Sequence, residues 1–146
     1  MRSAKSIAMS NQNLKERTKR FALDTISLVE SLPSGQTSAV LGRQLLRSGT
    51  SVGANYRAAC RAKSPADFVF KMGIVEEEAD ESSFWIELLV DAGKLSGDKA
   101  AALLKECNEL VAISVTSIRT ARNSSKHNVV TSAKTPRSMF RTPHSV

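Results

Sequence analysis

Residues 64–90 read SPADFVFKMGIVEEEADESSFWIELLV. The stretch opens as a helix start: Ser64 can cap, Pro65 suits the first helical position, and Asp67 lies where the helix dipole favours negative charge. On a wheel of about 100° per residue, Phe68, Met72, Val75, Ala79 and Ile86 form one apolar stripe, the seam expected to face a core. A second stripe, about 120° round the wheel, holds Ile74, Trp85, Leu88 and Ala92 and takes in Glu78 and Glu81. The other acids (Glu76, Glu77, Asp80, Glu87 and Asp91) fall on the opposite arc as a solvated face. A helix with two apolar stripes has more to bury than one neighbour can cover, so it belongs in a bundle. Two fates fit Trp85: the bundle interior, or an interface between subunits, where aromatic residues are enriched.

Outward from this segment, three more helical patterns appear. Residues 37–63 place Leu41, Leu45, Ser48, Val52, Tyr56 and Ala59 on one face. Residues 12–32 do the same with Leu14, Thr18, Phe21, Thr25, Leu28, Val29 and Leu32, and stop at Pro33-Ser34-Gly35. The segment begun at residue 64 is expected to run to about Leu95. Gly97 and Asp98 then open a last helix carrying Leu103, Leu104, Cys107, Leu110, Val111, Ser114, Ile118 and Ala121, which fades at Asn123-Ser124-Ser125. Short links between long helices predict an all-α, antiparallel up-down-up-down four-helix bundle. The expected organisation is a flexible N-terminus at 1–11, the bundle at 12–123 and a basic, disordered tail at 124–146.

The chain has 146 residues, which suits one domain with its own core, and 21 basic against 14 acidic side chains give a formal charge of +7. That balance makes a polyanion a reasonable partner. Cys60 and Cys107 fall inside helical patterns with no metal-type spacing and are expected to act as small hydrophobes. No apolar run approaches the roughly 20 residues of a membrane span, and the first residues lack a signal-peptide pattern, so a cytoplasmic location without membrane association is expected. The histidines, His127 and His144, lie in the expected tail, away from the Glu-rich segment, so no metal or other cofactor is expected. With no Gly-rich phosphate loop and no nucleophile beside a base, no enzyme is expected either.

The second helical segment has a charge pattern that a plain bundle does not need. It carries Arg43, Arg47, Arg57, Arg61 and Lys63 and no acid, and Arg43, Arg57 and Arg61 fall within about 40° on the wheel, with Arg47 beside them. The segment after it has eight acids (Asp67, Glu76, Glu77, Glu78, Asp80, Glu81, Glu87, Asp91) against Lys71 and Lys94. Such segregation fits ion pairing within or between subunits. It fits equally a phosphate-tracking ridge for sequence-independent nucleic-acid binding, with Arg17, Lys19, Arg20 and the tail extending the field.

Folding the chain back at Ser64 brings Arg47 opposite Glu81, and Ser51 or Thr50 opposite Glu78. Gln44, Ser48, Ser51 and Asn55 line the same side, so with Glu78 and Glu81 they are expected to form a structural hydrogen-bond network. Gly42, Gly49 and Gly53 share a further arc, and since each costs about 1 kcal/mol relative to Ala in a helix, they point to a close helix approach.

Gln44-Leu45-Leu46-Arg47-Ser48, Ser51-Val52-Gly53-Ala54-Asn55-Tyr56-Arg57, residues 64–68, Glu76-Glu77-Glu78-Ala79-Asp80-Glu81, Trp85 and Leu88-Leu89 together resemble the bacterial four helix bundle protein family. That family includes proteins encoded in intervening sequences of 23S ribosomal RNA genes and the accessory variability determinant of diversity-generating retroelements. The resemblance covers about residues 20–122 and implies an antiparallel bundle that assembles as a ring-like homopentamer. In the retroelement branch it implies a basic surface engaging nucleic acid and a reverse transcriptase. One departure stands out: Ala58 occupies a position where the family pattern usually has Glu. The resulting expectation is a non-enzymatic, oligomeric accessory protein that binds nucleic acid, RNA above all, through Arg43, Arg47, Arg57, Arg61 and Lys63. The alternative is a protein-interaction scaffold, for example for a reverse transcriptase, with charge segregation serving assembly.

Overall fold

The computed structural model describes residues 4–133. Four helices follow one another: α1 (Ala4–Glu30), α2 (Gln36–Cys60), α3 (Pro65–Asp91) and α4 (Gly97–Ala133). Each packs along the helix before it in sequence, α1 meets α4 only sparsely, and among the described residues no backbone of a diagonal pair comes within 8 Å, Cα to Cα. The result is the expected up-down-up-down bundle, closed tightly on three sides and loosely on the fourth.

The turns follow from local chemistry. Pro65 bars Ser64 from helical geometry, and Ser64 is extended (φ −158°, ψ 162°), so α2 ends by residue 60 instead of running on to 63. Its Oγ accepts from the Asp67 amide at 3.1 Å, while Asp67 Oδ2 accepts from the Lys63 amide at 3.1 Å. Helix α3 stops at Asp91, before the expected Leu95, because Gly93 adopts φ +73°. The Lys94 amide then donates to Leu89 O (2.9 Å) and the Gly93 amide to Val90 O (3.0 Å), a Schellman stop.

Both outer helices run further than composition suggests. Helix α1 begins at Ala4, so residues 4–11 are helical where a flexible start was expected. Helix α4 continues ten residues past Asn123, where a disordered tail was expected; residues 134–146 lie outside the described part. The physical reason is the absence of any breaker from Asp98 to Pro136. The hydroxyls that made this stretch look loop-like bond back along the helix: Ser124 to Thr120 O, Ser125 to Ala121 O and Thr131 to His127 O, at 3.0–3.1 Å.

The core draws on every helix: Phe21 and Leu28, Leu45 and Val52, Met72, Ile86 and Leu89, Leu103 and Leu110. Fully burying each large side chain contributes about 1.5–3 kcal/mol. Thr18, Thr25, Ser48, Ser82 and Ser114 are also buried. Thr18, Thr25 and Ser114 satisfy their hydroxyls on their own helix at 2.8–2.9 Å, so they act as compact spacers. Burial pushes the Cys107 thiol up to about 11, which keeps it a neutral core residue.

The glycine arc of α2 faces α1. A Cβ on Gly49 would stand 2.7 Å from both Oγ1 and Cγ2 of Thr25, whereas one on Gly53 would lie an ordinary 3.4 Å from Thr18. Gly49→Ala is therefore expected to lower stability by up to about 2 kcal/mol, overpacking of about 1–3 kcal/mol set against the roughly 1 kcal/mol gained in helix propensity. Gly53→Ala should leave stability unchanged or raise it, and urea denaturation of the two variants beside the parent checks the contrast.

Candidate nucleic-acid interface

Helix α2 divides its circumference four ways. The glycines meet α1, while Leu45, Val52, Tyr56 and Ala59 fill the centre of the bundle. A polar seam meets α3, and what remains points away from the bundle. On that outward arc Arg43, Arg57 and Arg61 are exposed, and Lys63 is exposed in the turn that follows. Arg43 to Arg61 spans about 27 Å along the axis. None of these four cations is in an ion pair with a described residue. Arg57, in the last turn, gains from the helix dipole. Arg43 lies in the second turn from the opposite end, where the dipole gives a cation nothing.

Arg47 is occupied differently from the other four. Its guanidinium pairs with Glu81 and stands 3.6 Å from Glu78 Oε2, and Gln44 Oε1 accepts from its Nε at 3.5 Å. Glu81 Oε1 also accepts from Trp85 Nε1 at 3.2 Å. The sequence-derived pairing of Arg47 with Glu81 thus appears, but the partners expected for Glu78 do not. Ser51 Oγ donates to Arg47 O (2.7 Å), Thr50 Oγ1 to Leu46 O (2.8 Å), and Asn55 Nδ2 to Ser51 O (2.8 Å), all within α2. Ser48 instead meets Ser82, their Oγ atoms 2.9 Å apart in the core. Glu78 Oε2 is buried without a hydrogen bond, and its carboxyl is raised above the usual range. Burial is the largest cause and the neighbouring Glu81 charge the next, with Arg47 pulling the other way and Glu77 adding to the rise. Ala58 sits about 16 Å along α2 from Arg47, so a Glu there would lie beyond this network's reach.

Trp85 is half-buried against the core and stacks edge-on with Phe84, ring centroids 5.0 Å apart. The second stripe of α3 therefore faces α2 and the rim of the bundle; Ile74 and Leu88 are half-buried and Ala92 is exposed. The cations of α1 add less field than expected. Arg17 bonds Glu106 at 2.6 Å and also Glu109, tying α1 to α4, and Arg20 pairs with Asp24 at 3.2 Å. Lys19 is exposed with no such partner. A basic stripe on α4 was missed in the sequence: Arg119, Arg122 and Lys126 are all exposed at helical spacing. Its signal was the acid-free run after Glu109, obscured by ending the helix at residue 123.

The family model for the 23S rRNA-intervening sequence protein matches residues 10–116. The chain is also similar to a crystal structure, at 1.70 Å resolution, of a protein of unknown function from the S23 ribosomal protein family of Bacteroides thetaiotaomicron. The two are 34% identical, with a TM-score of 0.67 over 71% of this chain and 96% of that one. No curated protein matches the chain.

A carboxyl raised in the folded state holds its proton more tightly there than when unfolded. Its contribution to stability is present below the ordinary carboxylate range and is lost as pH rises through the raised value. Arg47 is the group that opposes this loss at Glu78. Arg47→Met should therefore destabilise the fold more at neutral pH than at pH near the carboxylate range, and Glu78→Gln in that background should reduce the difference without abolishing it, because Arg47 also pairs with Glu81. Denaturant midpoints at the two pH values measure it.

Proposed function

The chain belongs to the 23S rRNA-intervening sequence protein family, and we propose that it is a non-enzymatic accessory protein that holds RNA by its phosphates along the outer face of α2. The observation that carries the proposal is the set of exposed cations Arg43, Arg57, Arg61 and Lys63, on and just beyond a helix with no acid and without ion-pair partners among the described residues. Guanidinium groups suit this work because their planar forks give paired hydrogen bonds to phosphate oxygens. The ridge presents no aromatic side chain on which a base could stack, so binding follows the backbone, not the sequence. Arg47, held by Glu81 and Glu78, contributes less than the other four and mainly orders the α2–α3 contact. Assembly of several copies, the homopentamer implied by the family resemblance, would convert weak ridge contacts into avidity.

A second reading rests on α3. Phe70 (68% exposed) and Phe84 (53%) lie on its outward face among the exposed acids Glu77, Asp80, Glu87 and Asp91. Large exposed aromatic side chains rimmed by charge suit a protein contact. This surface would serve a scaffold role, docking another copy or a nucleic-acid-bearing protein such as a reverse transcriptase. The two readings use different faces and can hold together.

Filter binding tests the first. Changing Arg43, Arg57 and Arg61 to Glu should reduce RNA retention at low salt by about tenfold or more, and duplex binding by the parent should weaken with a log–log salt slope of about −3 to −4, as four phosphate contacts require. Equal retention by the variant removes the proposal. For the second, Phe84→Lys should lower the assembled mass in light scattering or abolish capture of a partner from nuclease-treated lysate; a variant unchanged in both removes this second reading.

A further inference from the structure

Helix α4 carries a second basic track that the α2 ridge does not explain. Arg119, Arg122 and Lys126 are exposed and fall within about 60° of one another on the wheel. No acid follows Glu109 in the sequence, and none of the three is in an ion pair with a described residue. The helix dipole does not call for them, because its effect is confined to the last turn and the helix runs on at least to Ala133. They line a groove of about 510 Å³ between α3 and α4, whose other wall holds Glu76 and Glu77. Those carboxylates repel a phosphate from the α3 side, so an anion would run along the outer arc of α4.

The placement of this track matters more than its charge. Helices α2 and α4 are diagonal in the bundle, their described Cα atoms nowhere within 8 Å of one another, and the α2 cations point away from the bundle axis. With neighbouring axes about 8–10 Å apart, the axes of a diagonal pair lie roughly 12–14 Å apart, and the two tracks stand on different sides of the bundle. That separation exceeds the screening length of about 8 Å at physiological salt, so each track acts on its own phosphates. A short duplex cannot lie along both. Resting on the phosphate-binding reading above, we infer that the protein bridges two nucleic-acid segments, one held on α2 and the other on the Arg119–Arg122–Lys126 track of α4. This makes it a device for bringing RNA segments together instead of a coat on one.

The test uses the full chain and a short RNA hairpin whose stem is too brief to wrap the bundle. One copy of the hairpin is fixed to beads, the protein is loaded below saturation, and a second, labelled copy is added. The parent should retain the label in a protein-dependent way. The variant with Arg119, Arg122 and Lys126 changed to Gln should still load onto the fixed hairpin but hold about tenfold less label, as expected when three phosphate contacts are lost at low salt. Arg43, Arg57 and Arg61 changed to Gln should load more weakly and give at least the same loss of label, and the combined variant should not load at all. If the α4 variant loads and bridges like the parent, a single track shared among copies suffices and the inference is overturned while RNA binding stands. If the parent itself does not load at low salt, the phosphate-binding reading fails, and this inference with it.

Discussion

At Gly49 the backbone of α2 comes so close to Thr25 that an added methyl group would stand 2.7 Å from two of that side chain's atoms. The contact sets the spacing of α1 and α2, and with it the direction each remaining face of α2 must take. Once the glycine arc is turned to α1, the apolar arc falls on the bundle centre and the Gln44–Ser48–Asn55 seam falls on α3. The arginines are left with water. Thr25 can occupy this tight place because its hydroxyl donates to Phe21 O at 2.8 Å and asks nothing of its neighbour.

On the opposite flank of α2 the constraint is electrostatic. Glu78 and Glu81 lie one turn apart on α3, and Arg47 is the cation placed between them. Removing two carboxylates from bulk water is costly unless a cation and hydrogen bonds accompany them. Trp85 supplies one such bond to Glu81, whereas Glu78 keeps a buried oxygen without one. Among the described residues the pairing ties charge on α2 to charge on α3 at this one point, and the segregation of bases and acids between those helices is otherwise left uncompensated there. That imbalance is what gives the outer face of α2 its positive field.

The features that surfaced early in the residues are those set by short-range rules. Ser64-Pro65 and Pro33-Ser34-Gly35 mark turns because proline and glycine restrict or free the backbone locally. The stripes from Leu14 to Leu28 and from Leu103 to Ile118 mark buried faces because helical period and burial are coupled. Gly93 is as legible as these, and its left-handed backbone ends α3 before the expected Leu95. The ends of α1 and α4 were misread for a different cause. Polar composition says that a segment has little core to join, but a helix already started continues cheaply, each added residue closing one more backbone bond.

Helix count, order and the presence of an acid-free basic helix were determined by the sequence alone, since each depends on residues a few positions apart. Register across the Ser64 turn already places Arg47 opposite Glu81, but most other side-chain partners were decided only by tertiary packing. Arg47 lies only about 40° from Arg43 on the wheel of α2, yet α3 supplies two carboxylates beside it and none beside Arg43 or Arg57. Arg17 likewise is claimed by Glu106 and Glu109 on a helix some ninety positions away. Charge pattern reports which cations exist; the geometry of neighbouring helices decides which of them are neutralised and which still face the solvent.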